Sequence, residues 1–397
     1  MPDTFTETKT TGFFTRIINS VVGVFVGILL FIASFGVLFW NEGRPSNYEV
    51  YQKASEASSN TIDNNKNGQF VYTKGKLTTD SLITDDLYLV PGKYSVIGRK
   101  VEMFSWVEKA ESDSKSNTGG SETTTTTYKY SKDWSSDPQD SSRFKESTGH
   151  ANPEKTISDE TLYNPTAKIG NFTIDLSATT LPELTELSLN NSTNIPVATP
   201  TPTISIIPTI TPSIVPTLET KLASNKYIYS GKTSLDKPEV GDIRISYSVL
   251  KSDIDVTAFA KQEDGTLKLY TDENGVKVFR IFTTDHDQAL LQVKAEDTAM
   301  SWILRGVGFV MMWIGMLMIL GPIATISDIL PIVGKVTGFV LGLVTFIIAL
   351  GLSILTIVIS IIVHSTIALV IIGLIVIIIA VLLYMRKRNQ PTSLNGS

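Results

Sequence analysis

Apolar residues gather at the two ends of this chain and thin out through its middle, which is polar and rich in Ser and Thr. Residues 21–40 run for 20 positions without a charge. At about 1.5 Å per residue that stretch is about 30 Å long, the thickness of a bilayer's hydrocarbon core. Bulky residues in "GVLFWNEGR" make a poor signal-peptide cleavage site, so the run reads as an uncleaved anchor. Residues 306–326 form a second apolar run. Residues 336–384 form a third, too long for one crossing and suited to two, with His364, Ser365 and Thr366 placed to make the turn.

The pattern predicts a membrane protein with four transmembrane helices, at residues 17–40, 302–326, 336–361 and 367–384. Arg386, Lys387 and Arg388 follow the last run and mark the cytosolic side. Four crossings then put residues 1–16 in the cytosol as a tail, with the loop 327–335 and the tail 385–397. A turn occupies 362–366. Residues 41–301 become one large extracytoplasmic domain, long enough for a core of its own.

Within that domain the period changes from helical to alternating. Residues 99–111 place Val101, Met103, Ser105 and Val107 on one face and Glu102, Phe104, Trp106 and Glu108 on the other, as a half-buried strand does. Residues 123–134 are strand-like in Thr and aromatics. The two are expected to form a long hairpin with a polar loop, "AESDSKSNTGGSE", at its tip. Residues 242–251 alternate again, and Asp264-Gly265 between two alternating runs predicts a second hairpin. Residues 285–306 read as a helix that leads into the second crossing. The domain is therefore expected to be β-rich (α+β), interrupted by a Pro/Thr insertion at 195–217 whose prolines exclude a central strand.

Composition narrows the chemistry. The net charge of -5 gives no electrostatic footprint for nucleic acid, and the absence of cysteine removes disulfides and thiolate sites. His150, His286 and His364 are the only histidines, and none stands in a metal-binding spacing. No phosphate-binding loop and no nucleophile elbow occurs. Glu102 and Glu108 share a strand face but lie about 20 Å apart, beyond the reach of a paired acid and base. No catalytic residue, cofactor or metal is expected. The crossings hold almost no ionisable group, against the pattern of transporters. They do hold glycines at i, i+4 spacing, Gly23 and Gly27 in the first, and Gly334, Gly338 and Gly342 leading into the third. That spacing predicts close helix packing.

Several short stretches carry a resemblance. "NEGR" (Asn41, Glu42, Gly43, Arg44) ends the first crossing. "VEMFSWVE" holds Glu102 and Trp106, "YKYSKDW" holds Trp134, and "FKESTGHANP" holds Gly149, His150, Asn152 and Pro153. "KIGNF" follows, then "PEVGDIRISYS" with Pro238, Gly241, Asp242 and Arg244, and "SDILP" with Asp328 and Pro331. In this order they resemble the transmembrane protein 43 family, also called LUMA. The resemblance implies four crossings, a large luminal domain, no enzymatic activity, and a scaffold or organising role with self-association. Eukaryotic members imply the endoplasmic reticulum and inner nuclear membrane, with emerin and lamin partners; for a prokaryotic chain the plasma membrane replaces these, and the partner is another envelope protein. The competing reading from the residues is a membrane-anchored sensor or enzyme with a pocket in the ectodomain. Gly43 and Pro45 suffice to end the first helix, so Glu42 and Arg44 ask for another explanation. The expectation is that Arg44 makes a bidentate contact with a carboxylate or with backbone carbonyls, docking the base of the domain; the alternative is contact with lipid headgroups.

Overall fold

The computed structural model describes residues 3–190, 219–329 and 331–388. The Pro/Thr insertion expected at 195–217 lies outside these. The chain divides into two compact units. One holds residues 1–8, 47–113 and 125–294; the other holds 9–46, 114–124 and 295–397.

The first unit is β-rich and built on two sheets. The first sheet is ordered Thr4–Thr11, Glu122–Ser135, Tyr94–Ser116, Ile243–Lys251, Ile228–Gly231, Glu219–Leu222. Its centre is the antiparallel pair of Tyr94–Ser116 with Ile243–Lys251, in which Ile245 faces Val101 and Arg244 faces Glu102. The alternation read from sequence is the alternation observed: Val101, Met103, Ser105, Ile243, Ile245, Tyr247 and Val249 are buried. The second sheet is centred on Phe70–Thr79 paired with Ile254–Glu263. Val71, Leu77, Ile169, Phe172, Val256 and Ala258 form its core. Asp264 and Gly265 both take positive φ, 49° and 74°, and close the predicted second hairpin. Each is tolerated there because a tight two-residue turn needs the left-handed conformation.

Two expectations for this region change. The polar stretch after residue 109 is strand as far as Ser116, so the hairpin turn shrinks to about residues 117–121. Ser and Thr on facing strands pair there, Ser112 with Thr126 at 2.9 Å and Ser114 with Thr124 at 2.8 Å, and this hydroxyl ladder extends a strand that hydrophobic patterning could not show. The supposed N-terminal tail is also a strand, Thr4–Thr11, at the outer edge of the first sheet.

The second unit is helical. Helix α1 is Phe13–Gly43, α2 is the single turn Asn47–Tyr51 in the β unit, α3 is His286–Ile319, α4 is Gly321–Ser327, α5 is Pro331–His364 and α6 is Thr366–Arg388. The predicted helix at 285–306 and the second apolar run are one continuous helix, α3. That run breaks at Leu320, with a proline at the start of α4, so it is shorter than the expected 302–326. Ser365 alone separates α5 from α6. Among the described residues three helices, α1, α3 and α5, are long and apolar enough to cross a membrane; in α6 the qualifying apolar stretch is shorter. Leu38, Met312 and Ala349 are the fully buried centre where α1, α3 and α5 meet.

Candidate functional site

The motif residues fall into three clusters. The first lies where α1 ends. Glu42 receives a two-point contact from Arg305, Nε and Nη2 each donating to one carboxylate oxygen at 2.8 Å. The Glu42 side chain is 7 % exposed, so this planar fork is largely withdrawn from water. Arg44 donates through Nη2 to the Asp297 carbonyl at 2.9 Å and to Ser301 Oγ at 3.1 Å. Its Nη1 stands 3.8 Å from the Asp297 carboxylate. Asn41 is buried and donates to Glu42 and to the Ser301 carbonyl. Asp297, Ser301 and Arg305 recur every four residues on one face of α3, and NEGR closes on that face. The bidentate contact expected of Arg44 therefore belongs to Arg305 and Glu42, and Arg44 bridges a carbonyl and a hydroxyl. The spacing of Arg305 from Asp297 and Ser301 is the one signal of its role that the sequence carries.

The second cluster covers one face of the first sheet. Arg244 Nε donates to Glu102 at 2.7 Å, and its guanidinium lies 4.7 Å from the ring centres of both Trp134 and Tyr227. Burial alone would raise the Glu102 carboxyl, but Arg244 and Lys100 outweigh it and hold the group below the usual range. Trp106 exchanges backbone hydrogen bonds with the Asn152 side chain, which accepts at 2.7 Å and donates at 2.9 Å. His150 is buried, stacked on Tyr130 at 4.0 Å and edge-on to Trp106 at 4.6 Å. Its Nδ1 faces the Glu146 carbonyl at 3.0 Å. Gly149 supplies the positive φ of 82° that starts this loop. Pro153 packs so closely on Gly241 that a Cβ there would meet its ring at 2.9 Å. After Pro238, the buried Asp242 carboxylate caps the turn by accepting from the Glu239 N–H at 2.7 Å and from the Tyr229 hydroxyl. Burial and that carboxylate push the Tyr229 phenol up to about 12.

The third cluster stands at the other end of α1. Arg16 donates to the Asp328 carboxylate and to the Gly120 carbonyl, and pairs with Glu122 at 2.9 Å. Ser116 also reaches Asp328, and the Gly119 N–H donates to the Ile329 carbonyl. Thr10 lies 3.3 Å from Thr123. These hydrogen bonds join the hairpin tip to residues 10–16 and to the loop at Asp328 and Ile329. Pro331 begins α5 beside this cluster in sequence.

The packing glycines need correction. Gly27 meets Gly315 O and Met318 Cβ at 2.7 and 2.8 Å from a notional Cβ, and Gly23 touches only Met318 at 3.9 Å. Nothing lies within 4 Å of a Cβ at Gly338 or Gly342. Gly334 lies in the same helix. Gly315, which sequence reading did not select, is the true counterpart: its own Cβ would meet the backbone of Gly27 and Phe31 at 2.8 Å.

Sequence reading also missed a buried network in the β unit. Arg99 donates to Asp85 and to Glu160, both at 2.7 Å, and Tyr247 donates to Asp85 at 2.5 Å. Burial drives the Tyr247 phenol far up, and the Asp85 carboxylate adds to this. Each partner is satisfied, which makes the group a structural tie. Among the described residues no cluster of three or more His, Cys, Asp or Glu is grouped to hold a metal.

Comparison with known proteins places these clusters in context. A family model described as transmembrane protein 43 matches residues 103–366. The transmembrane protein 43 of Mus musculus is 26% identical over 364 residues, covering 87% of this chain and 85% of its own. The Homo sapiens protein of that name is 25% identical over 365 residues with the same coverage. A Drosophila melanogaster homolog is 27% identical over 135 residues, 32% of this chain and 36% of that one. No solved structure matches significantly.

Proposed function

Because this chain belongs to the transmembrane protein 43 family of membrane proteins, we propose that it is a non-enzymatic membrane organiser. In this reading the helical unit is the anchor, and the β unit offers surface to protein or envelope partners and to further copies of the chain. One observation carries it: the motif side chains are spent on one another. Glu42 holds Arg305, Glu102 holds Arg244, Asn152 holds Trp106, and Asp242 holds Tyr229. A site built for turnover keeps polar groups aimed at an absent reactant. Here they stiffen the anchor and one sheet face, as a presenting surface requires.

Native mass measurement of the full chain, released from its own membranes in mild detergent, tests the reading. The expected result is a species heavier than the 43.5 kDa chain, with defined associated proteins or copies. A bare monomer in several detergents would overturn it.

A further inference from the structure

The N-terminal strand Thr4–Thr11 is the outermost strand of its sheet and is exposed along nearly its whole length. Its inner side is fixed by two contacts. The Tyr130 N–H donates to the Asp3 carbonyl at 2.9 Å, and Thr10 lies beside Thr123. In an antiparallel ladder a residue turns its N–H and its C=O to the same neighbour, and the next residue turns both away. Asp3 faces the hairpin, so the odd-numbered residues do too. Thr4, Thr6, Thr8 and Thr10 then present their N–H and C=O groups to the free edge. The strand has no proline to blunt that edge.

We propose that this edge pairs with the same edge of a second copy, antiparallel about a twofold axis at Thr8. Three requirements meet at that register. Backbone phase demands that even-numbered residues face even-numbered ones, so the axis passes through a residue, and centres on Glu7 or Lys9 would set like charges directly opposite each other. Overlap of most of the strand favours Thr8 over Thr4, Thr6 or Thr10. Charge decides the rest: centred on Thr8, Glu7 of each copy stands opposite Lys9 of the other, twice by symmetry. Centring on Thr6 would oppose Glu7 to Phe5, and centring on Thr10 would oppose Lys9 to Thr11. Glu7 also receives Lys145 of its own chain at 2.6 Å, and a carboxylate accepts both cations. The second copy is thus chosen by the strand's own charges, with Thr6 of one chain against Thr10 of the other. This deepens the self-association in the proposed function and rests on it.

The chain lacks cysteine, so single substitutions report cleanly. In the full chain in native membranes, T8C should form a disulfide-linked homodimer under mild oxidation. Directly opposed Cα atoms lie about 5.5 Å apart, within reach of a disulfide. T6C alone should not, because its own copy would be roughly 14 Å away along the strand. T6C mixed with T10C should. Added to T8C, K9E should cut the cross-linked fraction roughly tenfold by opposing like charges, and E7K/K9E should restore it although the Lys145 contact is lost. A dimer from T6C equal to that from T8C would overturn the proposal. So would cross-linking of T8C to a different protein, or failure of the double swap. If T8C does not cross-link while native mass still shows several copies, the edge is wrong and self-association stands.

Discussion

Helix α1 meets α3 and α5 in two different ways. Against α3 it brings backbone to backbone, Gly27 on Gly315, and then locks the end of the contact with Glu42, Arg44 and Asn41. Against α5 it brings large side chains. Phe35 and Phe39 face Leu352, Leu355 and Ile359, and leave an apolar groove of about 460 Å³. Among the described residues the polar tie there is the bond from Ser360 Oγ to the Phe39 carbonyl at 2.9 Å. The difference teaches that a glycine repeat is only half of a packing signal. Gly27 packs because α3 offers a glycine in return. Gly338 and Gly342 have the same spacing on α5, and a Cβ at either would meet nothing within 4 Å; the Trp313 indole of α3 reaches the Gly342 carbonyl instead, at 3.2 Å.

The largest effect should come from breaking the reciprocal pair. Gly27→Leu drives a side chain into the Gly315 carbonyl, and backbone cannot move aside as a flexible side chain can. The expected loss is about 3 kcal/mol or more, read as a fall in thermal unfolding temperature in detergent. Gly338→Leu should stay within about 0.5 kcal/mol of the parent. Equal damage from both would erase the distinction between the two faces. Next comes the charged lock. Glu42→Gln keeps the shape but leaves Arg305 facing a neutral amide in a nearly dry site. About 2 kcal/mol is expected, below what breaking a fully buried pair costs, because Arg305 is a quarter exposed. An unchanged melting temperature would mean that water, and not Glu42, satisfies Arg305.

Much of this comparison could be read from sequence, and the reasons for the rest are physical. The hairpin, the Ile243–Lys251 strand, the helix leading into α3 and the apolar runs were legible because each repeats a period of two or of 3.6 for long enough. The outer hairpin and the N-terminal strand were not. Their strands are polar on both faces, and hydroxyl pairs such as Ser114 with Thr124 leave no hydrophobic alternation to detect. The unusual character of NEGR was visible, since Gly43 and Pro45 account for the helix end and leave two charges over. Its partners were hidden because Asp297, Ser301 and Arg305 lie more than 250 residues away. The role of Arg16 at the tip depends on Glu122 and Asp328, which no local pattern connects to it.

The smallest effects separate the two arginines of the lock, and here the geometry reverses the expectation drawn from sequence. Arg305 uses its planar fork: Nε and Nη2 meet the two oxygens of Glu42 in parallel. A lysine ammonium cannot occupy both positions on that line, so Arg305→Lys should lose most of what Glu42→Gln loses, between about 1 and 2 kcal/mol. Arg44 works through one nitrogen. Nη2 alone reaches the Asp297 carbonyl and Ser301 Oγ, Nη1 remains 3.8 Å from the nearest carboxylate oxygen, and Nε is buried without a hydrogen bond. An ammonium has three donors that rotate to suit, and a carbonyl and a hydroxyl about 3 Å from one point are within its reach. Arg44→Lys should therefore cost under about 1 kcal/mol and less than Arg44→Ala, which removes both the donor to the Asp297 carbonyl and the donor to Ser301 Oγ. Limited proteolysis and melting of the four variants, Arg305→Lys, Arg305→Ala, Arg44→Lys and Arg44→Ala, give the ranking. If Arg44→Lys is as damaging as Arg44→Ala while Arg305→Lys is mild, the fork works at Arg44 after all, and the roles drawn for the two residues are exchanged.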